Sequence, residues 1–320
     1  MPKTKKHISP RDFLLEGLLI ALIIILSFAN EHFMTTGNML NILRNVAMQG
    51  IVAFGMTLVI INGEIDLSVG STVAMSGIIF GICYKKFTGL PNAGIFCIAL
   101  FISLFFAALI GLVHTFFVIK FKMPSMITTI ATMNIIYGIC ALVTGGFPVL
   151  TFSDGFKKIG SIKLFGQVPV SALYLLIVFF VILLLMSKTK FGRNVYACGG
   201  NAEASRLSGI NVVLTKALSF IIVQWTAVLS GIILSSQVQA GNFNYAKDWS
   251  LTIISSVVIG GASLNGGVGS VAGTMVGLLF LGVVNNAMTL MNYSEYAQFV
   301  VRGALMLFAV VMNTWQRKKR

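Results

Sequence analysis

Charged residues are scarce in this sequence, and acidic residues are the scarcest. Of 320 residues, 10% are charged, with 23 basic and only 9 acidic, whereas 57% are hydrophobic; the mean hydropathy is +0.91. A soluble domain carries about 25% charged residues, so this composition excludes a water-covered globular surface and predicts that lipid is the main solvent. We assign the formal net charge of +14 to the cytoplasmic face of a membrane protein rather than to nucleic-acid binding.

Signatures of metal and nucleotide chemistry are also missing from the sequence. The four cysteines are scattered without a C-x-x-C pair, so no metal site is expected. There is no G-x-x-x-x-G-K-[ST] loop, so any ATP chemistry is expected on a separate chain and this chain is expected not to be an enzyme. His114 lies on an apolar stretch, which leaves open a hydrogen-bonded helix histidine or a proton relay.

Long hydrophobic runs fill most of the chain. They predict an all-α polytopic membrane protein with about ten transmembrane helices, in a single transmembrane domain over residues 1–320. The first run is expected to be an uncleaved span, because no small-residue cleavage site follows it. The runs lie at 13–29, 46–62, 67–84, 94–119, 125–144, 170–187, 214–236, 250–264, 268–286 and 297–314.

The distribution of Lys and Arg predicts the orientation of these spans. An even number of spans places both termini on one side, and assigning that side to the cytoplasm gives it most of the basic residues. The cytoplasm then holds an N-terminal tail (1–12), a long loop (188–213) and a basic C-terminal tail (315–320). Arg302 is counted on the outside in this arrangement.

Glu64 and Asp66 lie two residues apart between apolar spans. In a ten-span arrangement they fall at the cytoplasmic junction of the second and third spans, where Asp66 or Ser68 can cap the free N–H groups that open the third span. Gly70 allows a close approach of the chain there. The alternative is that Glu64 and Asp66 bind a cation or a proton, which would make the protein an ion-coupled secondary transporter.

The loop 188–213 contains a short predicted helix. Asn201 is a suitable N-cap, good helix formers follow it, and Gly209 can end the helix in the left-handed conformation. Glu203 and Arg206 are neighbours on this helix at i,i+3. Such a helix can receive a push from a soluble partner, or it can lie at the membrane interface without one. The residues considered for contact with a partner are Asn201, Glu203, Ala204, Arg206 and Gly209.

Four separated motifs resemble those of permease subunits in the ribose-type (simple sugar) family of ABC importers. The stretch G-G-N-A-E-A-S-R-L-S-G-I-N-V, at 199–212, is similar to the coupling loop of that family, and I-D-L-S-V-G-S, at 65–71, to its G-I-D-L-S-V-G-S. V-I-G-G-A-S-L-N-G-G-V-G-S-V-A-G-T, at 258–274, and L-G-V-V-N-N, at 281–286, are similar to its C-terminal signature. Glu64 departs from the pattern, since the family usually has Gly there.

The resemblance implies a ten-span ABC permease fold and the import of a simple sugar, which would be a ribose-like pentose, a hexose or a related furanose. It implies a cytoplasmic ATP-binding subunit, an extracytoplasmic sugar-binding protein and a second permease subunit, identical or related, as partners. Membrane lipid is the other expected partner, and nucleic acid is not expected. ATP would be bound by the partner subunit, so this chain would carry no cofactor. The implied location is the bacterial cell (inner) membrane, with multiple crossings.

Neutral polar residues at membrane depth suit the path of a sugar, which is recognised by neutral donors and acceptors beside apolar walls. The same residue types also form hydrogen bonds between packed helices. The sequence leaves both interpretations open for these candidates, which are Asn134, Gln224, Asn285 and Asn286.

Overall fold

The structure is a computed structural model that describes residues 14–318. The N-terminal tail (1–12) and the last two residues of the basic tail (315–320) lie outside the described residues. The described part contains thirteen α-helices and one antiparallel β-hairpin. The helices are α1 (Leu14–Ala29), α2 (Thr36–Ile61), α3 (Val69–Lys86), α4 (Asn92–Lys120), α5 (Ser125–Thr144), α6 (Asp154–Ser161), α7 (Val170–Lys188), α8 (Lys190–Gly200), α9 (Ala202–Leu207), α10 (Val212–Val238), α11 (Trp249–Ile259), α12 (Val271–Leu290) and α13 (Glu295–Lys318), and the hairpin pairs β1 (Lys163–Leu164) with β2 (Val168–Pro169).

Each of the ten hydrophobic runs coincides with a helix, namely α1 to α5, α7 and α10 to α13. Six of these helices, α2, α4, α5, α7, α10 and α12, are long and apolar enough to cross a membrane. The prediction of an all-α polytopic membrane protein is therefore confirmed. The count of ten crossings and the cytoplasmic location of both termini stay predictions.

Helices α2 and α10 form the centre of the fold. Nearly all of α2 from Val46 onward is buried, and α10 packs against α2, α3 and α4. Small residues permit this close packing, since a Cβ atom at Gly55 would lie 2.9 Å from the Cα atom of Val223 in α10. By contrast, α4, α5 and α7 expose many large apolar side chains, as surfaces in contact with lipid do.

Two helices, α3 and α11, begin in the interior of the protein. Residues 62–68 form an irregular segment between α2 and α3. Asp66 in this segment accepts a hydrogen bond from Gln224, which lies near the middle of α10, a helix of 27 residues. Ser250 of α11 donates its hydroxyl to the Leu67 carbonyl oxygen at 2.8 Å. Both α3 and α11 therefore begin near the middle depth of α10.

Asp66 lies in the connection between α2 and α3, as the sequence predicted, but it is buried inside the protein, and the cytoplasmic location of this connection stays a prediction. Irregular backbone is tolerated at membrane depth where protein covers it, and Asp66 and Ser68 are fully buried. Gly70 allows this burial, because a Cβ atom there would lie 3.2 Å from Tyr137 Oη and closer still to the Ala246 carbonyl oxygen.

Arg302 was counted on the outside, and that side stays a prediction, but the residue lies within a helix and not at its end. Arg302 lies within α13, where its Nε atom is buried. The apolar residues on both sides of it extend the helix through this position, so the charge is carried into the hydrophobic run.

Candidate functional site

A buried polar network surrounds Asp66. Its Oδ1 accepts hydrogen bonds from the Ser68 backbone N–H at 2.8 Å and from the Ser68 hydroxyl at 2.7 Å, and its Oδ2 accepts one from Gln224 Nε2 at 2.7 Å. Gln224 Nε2 also donates to Ser68 Oγ at 2.8 Å, and Gln224 Oε1 accepts from the Thr72 hydroxyl. All four side chains are fully buried. These donors compensate the carboxylate for the water that it has lost.

His114 extends this network from α4. Its Nδ1 lies 3.4 Å from Asp66 Oδ2, and its Nε2 lies 2.7 Å from Thr132 Oγ1 of α5. The ring is wholly buried and packs edge-on against Phe220, with 5.4 Å between the ring centroids. The ring therefore joins α4 to α5 through its hydrogen bond with Thr132, while Nδ1 lies beside Asp66 and forms no hydrogen bond with the described residues.

The side-chain cap expected at the start of α3 does not form. Ser68 occupies the N-cap position, but its side chain accepts no hydrogen bond from the first turn of the helix. Instead, Asp66 accepts a hydrogen bond from the backbone N–H of Ser68, two residues further on, and this bond forms a local turn. The Ser68 hydroxyl also donates a hydrogen bond to Asp66. Asp66 and Ser68 both accept hydrogen bonds from Gln224 of α10, so they connect the segment before α3 to α10 more than they cap α3.

Glu64 forms an ion pair with Lys216, near the start of α10. The two side chains are mostly buried, with exposed fractions of 11% for Glu64 and 14% for Lys216. Lys216 is 152 residues away in sequence, which is why inspection of neighbouring residues found no basic partner. A carboxylate neutralised by lysine is a poor cation ligand. Among the described residues, no three His, Cys, Asp or Glu side chains lie close enough together to hold a metal ion.

Helices α8 and α9 form the loop that the sequence assigns to the cytoplasm. Asn201 caps α9 by accepting the Ala204 N–H at 2.9 Å, and Gly209 follows the helix with a φ of +81°. Arg206 donates to Glu203 Oε1 at 2.6 Å, and this hydrogen bond and the adjacent negative charge raise the pKa of Arg206. The local geometry agrees with the predicted pattern, while contact of these residues with a partner stays a proposal.

Close backbone contacts fix α8 to the body of the protein. The Gly267 N–H, between α11 and α12, donates to the Ile61 carbonyl oxygen at the end of α2, at 2.7 Å. Gly199 of α8 lies against both groups, since a Cβ atom there would be 2.7 Å from Gly267 N and closer still to the Ile61 oxygen. The Tyr196 hydroxyl donates to the Gly269 carbonyl oxygen at 2.9 Å, and burial raises the pKa of Tyr196. The end of α2, the end of α8 and the α11–α12 connection thus meet at one place.

The four polar candidates for a sugar path have different surroundings. Gln224 belongs to the Asp66 network, and Asn286 exchanges hydrogen bonds of 2.7 and 2.9 Å with Asn38 of α2. These two residues therefore connect helices. Asn134 is exposed on α5, and Asn285 has a buried Oδ1 with no hydrogen-bond partner among residues 14–318. Only Asn134 and Asn285 remain available to a ligand.

A second group of polar residues, which the sequence did not predict, lies between α11, α12 and α13. Asp248, Thr252 and Arg302 line one cavity with residues of α11, α12 and α13. No motif marks these residues, because they come from separate parts of the chain. The one available signal was a charged residue, Arg302, inside a hydrophobic run, since ionisable groups within spans commonly mark functional positions.

Comparisons with known proteins agree with the polytopic helical structure. Residues 38–310 match a family described as "Branched-chain amino acid transport system / permease component". The ribose import permease protein RbsC of Bacillus subtilis is 36% identical over 306 residues, which cover 95% of this chain and 91% of that protein. The L-arabinose transport system permease protein AraH of Escherichia coli is 35% identical over 290 residues, covering 90% and 86%. No solved structure matches the chain.

The apolar helices, with a capped helix pair between α7 and α10, define a membrane transport subunit. The chain belongs to the matched family of permease components, and the resemblance to ribose-type ABC permeases is confirmed. It is a transport permease subunit rather than an enzyme, and a multi-pass protein of the bacterial cell membrane.

Proposed function

We propose that this chain forms the translocation path of an ATP-driven importer of a simple sugar and couples that path to a separate ATPase. The sugars named for its relatives, ribose and arabinose, support a pentose or a related sugar as substrate. The observation that carries the coupling role is the close backbone contact of α8, which precedes α9, with the end of α2 and with the α11–α12 connection. ATP would be bound by the partner subunit, so this chain needs no cofactor.

Helix α9 has the surface expected of a docking element. Glu203 and Arg206 are exposed, and Leu207 beside them is 79% exposed, although a large apolar side chain is unfavourable in water. A soluble ATPase subunit that covers Leu207 would remove this cost. We therefore propose that residues 188–213 are the coupling loop of a single permease domain.

Helix α5 supports a role for a second permease subunit. Asn134 is exposed on this helix, on a surface that otherwise presents apolar side chains such as Ile127 and Ile135. A lone amide is unfavourable against lipid, so we propose that this face borders the path between two permease subunits, identical or related. The external sugar-binding protein would dock on the opposite side of the membrane from α9, where we place the α6 and hairpin region between α5 and α7.

The energy source tests this proposal against an ion-coupled transporter that uses Glu64 and Asp66. Liposomes containing the permease, its ATPase and the sugar-binding protein are expected to take up radiolabelled sugar only when ATP is supplied. An imposed proton or sodium gradient without ATP is expected to drive no uptake, since both acids already have partners in the protein. Gradient-driven uptake by this chain alone would overturn the proposal.

Gly209→Val is expected to weaken the hold of the permease on the ATPase while the permease stays in the membrane. A non-glycine residue at a φ of +81° is strained, and for β-branched valine the cost is about 1–3 kcal/mol. A Cβ atom at Gly209 meets nothing within 4 Å, so the effect comes from the backbone and not from a clash. Co-purification of the ATPase and binding-protein-stimulated ATP hydrolysis measure it.

Two variants serve as controls for this prediction. Gly209→Asn should retain most ATPase binding, because asparagine tolerates the left-handed conformation. Gly200→Ala should be nearly neutral, because Gly200 also faces open space but has ordinary helical geometry. Normal co-purification and normal stimulated hydrolysis in Gly209→Val would show that α9 is not the coupling element.

A further inference from the structure

A cavity of about 120 Å³, whose lining is mostly apolar with a few polar groups, opens beside the start of α11. Its polar lining residues are Asp248, Thr252 and Ser255 from the start of α11 and Arg302 from α13, and Phe299 and Met306 add apolar walls. This space is several times the volume that a cavity needs to hold one water. That size suits a small ligand such as a pentose.

The cavity lies beside the irregular segment that leads into α3. The hydrogen bond from Ser250 to Leu67 places the first turn of α11 beside Asp66, which contacts the middle of α10. Asp248 is exposed at this level. A charged side chain at membrane depth faces a water-filled cavity or the interior of a bundle rather than lipid. The cavity therefore has the position expected for a stage on a path across the membrane.

Polar groups without protein partners converge on this cavity. Asp248 is the N-cap residue of α11, yet its carboxylate makes no capping hydrogen bond. The Thr252 side chain is buried, at 5% exposure, and its hydroxyl makes no hydrogen bond to any residue that the structure describes. Arg302 Nε is buried without a partner. An unpaired buried group such as Arg302 Nε is rare and costly, even though Arg302 Nη2 donates to Gln298 Oε1 at 3.3 Å. A ligand that reaches Arg302 Nε, the Thr252 hydroxyl and the exposed Asp248 carboxylate would supply the missing bond.

The charges in the cavity select the chemical class of that ligand. Asp248 and Arg302 line the same space but form no ion pair within 4 Å in the described part of the chain. The carboxylate disfavours an anion such as a phosphate, and the guanidinium disfavours a cation. A neutral polyhydroxylated molecule can donate to the carboxylate and accept from Thr252 or Arg302. Its C–H face can pack on Phe299, whose ring centroid lies 5.3 Å from the guanidinium carbon of Arg302.

We infer that this cavity is the sugar-binding subsite of the permease, with Asp248, Thr252 and Arg302 as its hydrogen-bonding residues. The inference rests on the proposed function and deepens it. Asn285 lies four residues after Leu281, which lines the cavity, so it is on the same face of α12 one helical turn further along. Its unpartnered Oδ1 offers a next contact for a sugar that leaves the cavity.

The sharpest test is Thr252→Val, which removes the hydroxyl and keeps the shape of the side chain. The Thr252 hydroxyl has no hydrogen-bond partner among residues 14–318, so this change should leave the folded yield and the Tm of the transporter unaltered. We expect the complete transporter in liposomes to show a KM for uptake of D-ribose or L-arabinose raised about three- to tenfold, as the loss of one hydrogen bond predicts. Thr252→Ser should restore the wild-type KM, because it keeps the hydroxyl.

Further variants separate this inference from the proposed function. Arg302→Lys keeps the positive charge but removes Nε, and should lower kcat/KM by about tenfold or more, whereas Glu31→Gln, at an exposed turn, should match the wild type. Wild-type kinetics in both Thr252→Val and Arg302→Lys would overturn the inference and leave the proposed function standing. A wild-type transporter that takes up no sugar with ATP would overturn both.

Discussion

Asp66→Leu is expected to remove most of the folded protein from the membrane. Leucine removes the acceptor of the Ser68 N–H and hydroxyl and one of the two acceptors of Gln224 Nε2, in a fully buried site. Removal of one partner from a buried charged network costs about 3–5 kcal/mol, a large part of a total stability of about 5–15 kcal/mol. The yield of monodisperse protein in detergent and its Tm measure the loss.

The conservative change Asp66→Asn separates this network from a simple helix cap. Asparagine caps helices well, so a capping role would tolerate it. In the network, however, the new amide would point a donor at Gln224 Nε2 or at the donors of Ser68, because both oxygens of Asp66 accept hydrogen bonds. We therefore expect Asp66→Asn to lower the Tm clearly, though less than Asp66→Leu.

A reciprocal exchange tests the same contact directly. In the double variant Asp66→Asn with Gln224→Glu, the amide at position 66 can donate to the carboxylate at position 224, which still accepts from Thr72. The double variant should recover part of the Tm that each single change loses. Asp154→Leu, at a 91% exposed side chain, is the control and should change stability by less than about 0.5 kcal/mol. A wild-type Tm for Asp66→Leu would contradict the role of the network.

The features that the sequence predicted correctly are set by neighbouring residues. Each hydrophobic run became a helix, because its length and composition decide that outcome locally. The start and end of α9 are also set locally. Asn201 accepts a hydrogen bond from the backbone N–H of Ala204, three residues away, and Gly209 ends the helix through its own positive φ. Side-chain caps and glycine conformations are short-range effects, and a single sequence contains them.

The features that it missed depend on contacts between distant parts of the chain. Asp66 and Gln224 are separated by 158 residues, and nothing near Asp66 indicates that the chain turns back into the core after α2. Counting from the end of a span placed the acid at the junction of two spans, whereas the irregular segment 62–68 carries it into the buried interior of the protein. The Asp248 and Arg302 cavity was invisible for the same reason, since α11 and α13 meet only in the folded protein.

The two interrupted helices link the path to the proposed coupling loop. The α2–α3 break carries Asp66, and the start of α11 lines the cavity with Asp248 and Thr252. Both elements continue to the place where α8 is attached, the first through Ile61 and the second through Gly267. If an ATPase moved α9, the movement would therefore pass through α8 to α2 and α11 by contacts between backbone atoms. It would reach the wall of the Asp248 and Arg302 cavity without depending on the positions of flexible side chains.

Gly199→Ala is expected to disrupt this junction strongly, whereas Gly200→Ala, one residue further along α8, should not. A Cβ atom at Gly199 would lie 2.7 Å from Gly267 N and closer still to the Ile61 oxygen, so it would push apart two groups that hydrogen-bond to each other. Backbone atoms cannot retreat as the tip of a side chain can, and overpacking of this kind costs about 1–3 kcal/mol or more. Gly200 meets nothing within 4 Å.

The comparison of these two neighbours isolates the clash from other effects of the substitution. Gly199 and Gly200 are the last two residues of α8, so any gain in helix propensity from glycine to alanine is similar at the two positions. We therefore expect Gly200→Ala to keep or slightly raise the Tm, and Gly199→Ala to lower both the Tm and the co-purification of the ATPase. Equal Tm values and equal ATPase binding in the two variants would show that α8 is not fixed to α2 and the α11–α12 connection as the structure describes. A lowered Tm with normal ATPase binding would confirm the contact but exclude this junction as the route of coupling.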